Sequence, residues 1–387
     1  MQIGTGFSEN TDHIKAVKEA FSRALPGVNR EKIDLVLLFS TVRFNHPLIL
    51  KTLSELSGDI PLLGLTSPSI MLNQRVCKQG LAIVLFSFPE DIYLNTACIK
   101  NITKENAAAS GEKLGEDLLY GCKGIRRNLS MVFSSGYIPD GQNVILGLQK
   151  RVGRSFPLVG SSSLSSIYYG SSSLNNAACG ILFGGKLNFG LSVKHGWHPL
   201  GKPREVTLSS GNIIHEIDGK PADSLYKDYF AKDTSGLKKD LKYISSLYPL
   251  GVAIAERKEY LLRNLSSIED SGALNFDGDI PQGSQVRLMI SSKEYCLEST
   301  KEAAVLARQS LKNQEAKFIL VFNSLSRLMV LGRQEGEEIE AIKEVFGKDV
   351  PLLGVYTMAE QAPLNLAGYL GRPYFYNKSI AILAMAG

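Results

Sequence analysis

The sequence predicts an α/β protein: repeated βαβ units in mainly parallel sheets, arranged as two domains with a β-rich middle segment. Three observations carry that expectation. An apolar, branched run ending in Phe and a small polar residue occurs three times, at IDLVLLFS (33–40), LSMVFSS (129–135) and KFILVFNS (317–324). Each is followed, after a spacer, by PLLG or PLVG at 61–64, 157–160 and 351–354, with Phe-to-Gly spacings of 25 (39 to 64), 27 (133 to 160) and 32 (322 to 354). A further apolar run closes each set: GLAIVLFS (80–87), CGILFGG (179–185) and SIAILAMA (379–386).

Each element has a physical reason. A continuous apolar run suits a strand covered on both faces, as in a parallel sheet between helices. The first spacer carries leucines at 48, 50, 53 and 56, a helical spacing. The third, EGEEIEAIKEVFG (335–347), opens on acid and closes on Gly347, a helix stop. The PLLG run is then the second strand of a βαβ crossover. Between the second and third units, residues 202–230 read as strand, turn, strand, turn and a helix opened by Pro221, and 248–291 alternate strand and turn. This places the two domains at 1–205 and 206–387.

Composition narrows the function classes. Of 387 residues, 44% are apolar and 21% charged, which excludes global disorder, and the apolar runs are strand-sized rather than membrane-spanning. The N-terminus has no basic segment followed by an apolar one, so a cytoplasmic protein without a secretory leader is expected. Net charge is 43 − 38 = +5; the densest basic clusters, at 123–127 and 237–242, lack interleaved aromatics, so neither nucleic acid nor membrane is expected as a partner. Five scattered cysteines without a CxxC favour reduced thiols over disulfides or zinc.

Enzyme signatures are missing. Gly180–Lys186 matches the start of a P-loop, but Leu187 stands where the Mg²⁺-binding hydroxyl belongs, and the first glycine opens a strand. No GxGxxG, HExxH or GxSxG occurs, and no nucleophile–base pair is apparent. A non-enzymatic protein is expected.

Small polar residues cluster where the strands stop, and open α/β sheets bind ligands beyond the carboxyl ends of their strands. The candidate ligand-binding residues are therefore Ser40, Thr41, Arg43, Ser67, Ser134, Ser135, Ser161, Ser162, Asn323, Ser324, Arg327, Tyr356, Thr357 and Glu360, lining a hydroxyl-rich mouth. His46, just past the first strand, is the one candidate haem ligand.

The segments HGWHPLGKPREVTLSSGNIIHEIDGKPADSLY (195–226), SSIEDSGALNFDGDIPQG (266–283), FNSLSRLMVLG (322–332) and PLLGVYTMAEQAP (351–363) together resemble the FIST family of sensory domains. The resemblance implies an N-terminal and a C-terminal FIST domain that sense a small ligand, amino acids among them, and signal to a partner protein. It offers as an alternative a haem-binding nitric-oxide sensor that regulates a histidine kinase. Where the family carries Cys and Gly, this chain has Ser324 and Ser326, with Arg327 retained; Ala359 replaces a Gly beside the retained Glu360, and Tyr376 replaces a His before Asn377. These departures weigh against a haem, metal or thiol role and leave a polar organic ligand.

Arg327 and Glu360 follow adjacent strands of the third unit. Together they could grip the carboxylate and ammonium of a zwitterion, or they could form a salt bridge to each other. A third reading makes the same two residues the centre of an uncharacterised small-molecule enzyme.

Overall fold

The computed structural model describes residues 1–136, 140–254, 259–366 and 369–387. Three units follow one plan. The first comprises β1 (Gln2–Ser8), α1 (His13–Ala24), β2 (Leu35–Thr41), α2 (His46–Ser57), β3 (Leu62–Ser67), the hairpin β4 (Ile70–Leu72) and β5 (Arg75–Cys77), and β6 (Leu81–Ser87). The second repeats it with β7 (Ile92–Ile99), α3 (Ala107–Leu119), β8 (Arg127–Ser134), α4 (Gly141–Val152), β9 (Leu158–Ser162), β10 (Ile167–Tyr169), β11 (Ser172–Leu174) and β12 (Ala178–Gly185).

The third unit begins with β13 (Asn188–Lys194) and is then interrupted. The insertion holds β14 (Trp197–Ser210), β15 (Ile213–Ile217), β16 (Lys220–Pro221), α5 (Ser224–Phe230), α6 (Thr234–Lys239), α7 (Leu241–Leu247), β17 (Leu250–Ala253), β18 (Tyr260–Arg263), β19 (Leu265–Ile268), β20 (Leu274–Phe276) and β21 (Gln285–Ser291). The unit resumes with α8 (Lys293–Ser310), β22 (Ala316–Ser324), α9 (Leu325–Leu331), α10 (Glu337–Phe346), β23 (Leu352–Thr357), β24 (Ala359–Leu366), β25 (Tyr369–Tyr376) and β26 (Ile380–Ala386).

The α/β class and the three βαβ units are as expected. β2–β3, β8–β9 and β22–β23 pair in parallel, and their apolar runs at 35–39, 130–133 and 318–322 are buried. Each parallel pair sits inside a six-stranded mixed sheet. The orders are β1-β6-β2-β3-β10-β11, β7-β12-β8-β9-β24-β25 and β13-β26-β22-β23-β4-β5. The outer pairings are antiparallel, because the closing strand of each unit returns through a short hairpin rather than a crossover.

The orders also reveal an exchange. The hairpin of the second unit completes the first sheet, that of the third completes the second, and that of the first completes the third. The units therefore form a closed ring with pseudo-threefold symmetry.

The motif glycine has a steric cause. A Cβ at Gly64 or Gly160 would lie 1.7 or 1.8 Å from the carbonyl oxygen of Leu38 or Val132 on the neighbouring strand. Helix ends follow their caps: the Asn45 side chain accepts from Leu48 N at the start of α2, and Gly347 ends α10 at φ 98°. α2 buries Ile49, Leu50 and Leu53 and leaves Leu56 at 39% exposure, a face rotated from the one the four leucines mark. Pro221 does not open a helix. It pairs with Glu216 in a short ladder, and α5 begins three residues later at Ser224.

The inner faces of the three sheets share one apolar core, and the helices cover the outer faces. Phe39, Phe133 and Phe322, the repeated Phe of the sequence pattern, meet edge to face with centroids 6.1 Å (39–133) and 5.9 Å (133–322) apart. The insertion folds its own sheet and its own core around Tyr226, Phe276 and Leu288. Among the described residues no helix is long and apolar enough to cross a membrane.

Phe133 touches both other rings. Phe133→Ala is expected to lower the unfolding free energy by about 3–5 kcal/mol in urea titration. Phe39→Ala should then cost less in the Phe133→Ala background than alone; strict additivity would mean that the rings do not act as one contact.

Candidate functional site

Strand alternation sorts the polar residues at the strand ends into two layers. Beyond the three Phe rings, Thr41, Ser135 and Ser324 continue the inner face of the first strands, and Ser67, Ser163 and Thr357 that of the second strands. Ser40, Ser134 and Asn323, with Thr66, Ser162 and Tyr356, face the helices instead. All twelve are buried, at 4% exposure or less, so the expected mouth is a closed polar layer. Arg43 lies apart from it, exposed in the turn after β2.

Most of these groups hold strands together. Thr41 Oγ1 accepts from Gly80 N and Ser135 Oγ from Ala177 N, in equivalent places of the first two units. Ser67 Oγ donates to Tyr356 O and accepts from Tyr356 N. Ser40 Oγ lies 2.7 Å from Tyr168 OH, Ser134 Oγ lies 2.8 Å from Ser162 Oγ, and Ser324 Oγ caps α9.

Two hydroxyls differ: Ser161 Oγ and Ser163 Oγ are buried without a partner among the described residues. Ser161 pairs with Glu360, whose side chain is fully buried, and Ser163 continues the same face of the chain two residues on. Glu360 lies directly opposite Ser161 on one side and Tyr376 on the other, and opposed residues of antiparallel strands share a face. Its Oε1 accepts from Thr357 Oγ1 (3.0 Å), and its Oε2 from Ser379 N (3.1 Å) and Ser379 Oγ (2.8 Å). Burial pushes its pKa up to about 8, although the bonds from Ser379 and Thr357 pull the other way.

The ring symmetry exposes what is unusual here. The residues equivalent to the Glu360–Ser161 pair are Ile167–Leu65 at the first junction and Ile70–Val355 at the third, and all four belong to the apolar core. One junction of three thus carries a carboxyl and a hydroxyl where the other two carry hydrocarbon.

Both expected arrangements of Arg327 and Glu360 are overturned. Arg327 pairs with Glu338 of α10 at 2.6 Å, with both side chains fully buried. Its remaining N–H groups donate to His195 O, Ser299 Oγ, Cys296 O and Thr300 Oγ1, which leaves none for a ligand carboxylate. Asn323 and Tyr356 both donate to Glu338 Oε2. These residues clamp α8, α9 and α10 to β22 and β23. The enzyme reading loses its paired groups with them.

A second charged set joins the ring to the insertion. Lys378 Nζ donates to Ser246 O of α7 and to Ser326 Oγ, and lies 5.6 Å from the Trp197 ring centroid. Burial lowers its pKa to about 8 against the fields of Asp277 and Glu360. Buried Arg263 donates to Phe375 O and Gln142 Oε1, and burial raises Asp277 despite Arg263 beside it. Sequence reading missed Glu338, Lys378 and Ser379. Extending the repeat alignment through the hairpins, to set Ile70 and Ile167 against Glu360, would have found this junction.

His46 lies on the helix side of the first sheet. Its Nδ1 is 3.0 Å from Ser173 Oγ and its ring meets Tyr168 edge-on. Its Nε2 is enclosed by protein without a partner, so these residues do not fit a haem iron approaching that nitrogen. Among the described residues no group of three or more His, Cys, Asp or Glu could hold a metal ion.

A ring of three quasi-equivalent α/β units, carrying an inserted β module and one polar junction in an otherwise apolar centre, defines the class of this protein. The FIST N domain matches residues 34–220 and the FIST C domain residues 222–363, and the chain belongs to this family of sensory domains. An uncharacterized protein of Methanocaldococcus jannaschii is 31% identical over 131 residues, a region that spans 30% of this chain and 24% of that protein. Among solved structures, cyanuric acid hydrolase from A. caulinodans aligns over 100% of both chains at 8% identity and a TM-score of 0.40. A second cyanuric acid hydrolase structure aligns over 99% of both, again at 8% and 0.40. At that level neither fold nor activity follows from the likeness.

Two predictions follow from the buried charges. Arg327→Ala leaves Glu338 buried and unpaired, so stability should fall by about 3–5 kcal/mol, read as a large drop in melting temperature. The second concerns pH. Folded Glu360 keeps its proton to about pH 8 whereas an unfolded Glu releases it near 4.5, so its contribution to stability declines as pH rises between these values. Folded Lys378 releases its proton near 8 against 10.5 unfolded, so its contribution increases from pH 8 upward. Arg327 acts on Glu360, Asp277 on Lys378, and Arg263 on Asp277 in turn. Urea midpoints from pH 4 to 10 should show the declining limb in the wild type and a flattened one in Glu360→Gln.

Proposed function

We propose that the protein is a non-enzymatic cytoplasmic sensor that binds a small polar ligand at the junction of the second and third units. The carrying observation is the Glu360–Ser161 pair at a core position that the other two junctions fill with Ile and Leu or Val. A buried carboxyl costs stability unless something returns it, and residues retained against stability mark function. Glu360, with Ser161 and Ser163 still open for hydrogen bonds, suits a ligand bearing an amino or amide group. Amino acids are the leading class. Lys378 rather than Arg327 is the cation left to meet a carboxylate, since two of its three N–H groups are engaged within the protein whereas every N–H of Arg327 is taken.

Signal output runs through the insertion. Ser379 binds Glu360, and its neighbour Lys378 binds Ser246 at the end of α7, so two consecutive residues tie the site to the inserted module. A ligand that favours one seating of that module shifts the population that a partner protein, such as a histidine kinase, reads.

Calorimetric titration of the purified chain with the amino acids tests this. Saturable binding by at least one is expected, and Glu360→Ile, which installs the residue of the other two junctions, should abolish it while raising the melting temperature. Unchanged binding with a lower melting temperature would make Glu360 structural. For the haem alternative, titration with hemin should give no one-to-one complex; a sharp Soret band lost in His46→Ala would reverse that expectation.

A further inference from the structure

The residue opposite the motif glycine is equivalent in all three units. It is Tyr168 opposite Gly64, Gln361 opposite Gly160, and Met71 opposite Gly354. With no side chain on the glycine, this residue occupies the space between sheet and helices, next to the outward-facing polar residues of the strand ends. Its surroundings differ from unit to unit.

In the first unit the Tyr168 hydroxyl meets Ser40, so the group is satisfied. In the third, Met71 has no strong polar group, and Asn323 beside it donates to Glu338. In the second, Ser134 and Ser162 bond to each other, and Gln361 is left alone. Gln361 is 1% exposed, yet neither its Nε2 nor its Oε1 has a partner among the described residues. Few buried side-chain amides are left so, because an unmet buried donor or acceptor costs about 1–3 kcal/mol.

Gln361 shares its face of the sheet with Phe375, which packs against the apolar cluster beneath α3 and α4. Gln149 of α4 is 2% exposed and donates to Pro373 O, two residues before Phe375, while its own Oε1 has no partner. The open polar atoms on this face are therefore two amide oxygens and one amide nitrogen. They are neutral, and they offer both donation and acceptance.

We propose that the helix-facing side of β24, between Gln361 and α4, is a second binding site, for a neutral molecule that presents a carboxamide or lactam edge. A side-chain amide and such an edge form two parallel hydrogen bonds, one N–H to each carbonyl oxygen. A charged ligand would be desolvated here with no opposite charge among the open groups to compensate it. The site lies on the face of β24 opposite to Glu360, and it stands or falls independently of the sensor ligand proposed there.

Nicotinamide and 2-pyrrolidone, a primary amide and a lactam, are suitable probes for calorimetry with the full chain. Saturable heat is expected with at least one. Gln361→Met, which installs the residue of the third unit, should weaken that binding at least tenfold and melt no lower than wild type. Glu360→Ile should leave it within twofold. No saturable heat from either probe, or equal heat in Gln361→Met, would overturn the proposal. So would a Gln361→Met variant that melts several degrees lower, because the amide would then be satisfied within the unliganded protein. If the amino-acid titrations fail while these succeed, the first site falls and this one stands.

Discussion

The exchange of hairpins around the ring is the constraint on which the other features depend. β3, β9 and β23 each obtain their outer backbone hydrogen bonds from a neighbouring unit's hairpin. A unit on its own would leave that edge unpaired, and an exposed edge is both unstable and prone to aggregate. Closing the circle covers the edges of β3, β9 and β23 together and sets the three inner faces against one another. The Phe39–Phe133–Phe322 contact follows from that closure, as does the burial of every polar residue at the strand ends.

Near-equivalence of the units gives polar substitutions their meaning. Where three positions share one backbone geometry, the residue types at two of them describe what stability alone selects at the third. Ile70 and Ile167 set that standard for Glu360, and Tyr168 and Met71 for Gln361. Both departures occur on adjacent residues of β24, one on each face of the same strand. The third unit's hairpin, seated on the second unit's sheet, is thus where the fold gives up stability. The Arg327–Glu338 pair shows the contrast: it is equally buried, but its guanidinium donors are all matched within the protein, whereas Ser161 and Gln361 keep unmatched groups.

The βαβ units were legible in the sequence because their signals are local. A Phe-Ser ending and a Pro-Leu-Leu-Gly beginning fall on strands that cross over within one unit. Pairing between units leaves no such trace, because β24 bonds to β9 across some two hundred residues of chain and nothing in either segment names the other. Arg327 was recognisable as important, but its partner was not, since Glu338 lies in a helical spacer among several acids. The strand-end hydroxyls were found for a sound reason and proved largely to be strand fasteners, which composition cannot distinguish from ligand contacts. Pro221 misled because a proline suits a turn or short ladder as well as a helix start.

The insertion leaves the ring after β13 and returns into α8, and its first and last strands are neighbours: Trp197 of β14 stands opposite Ser291 of β21. The two crossings of the boundary therefore lie side by side. A module joined through such a paired stem enters and leaves the ring at one place, and its other ties to the ring, among them Lys378 to Ser246 and Arg263 to Phe375 and Gln142, are side-chain contacts outside that stem. Under the proposed sensor function, that stem is the one place where an output module could be exchanged while the ring and its polar junction keep their covalent framework.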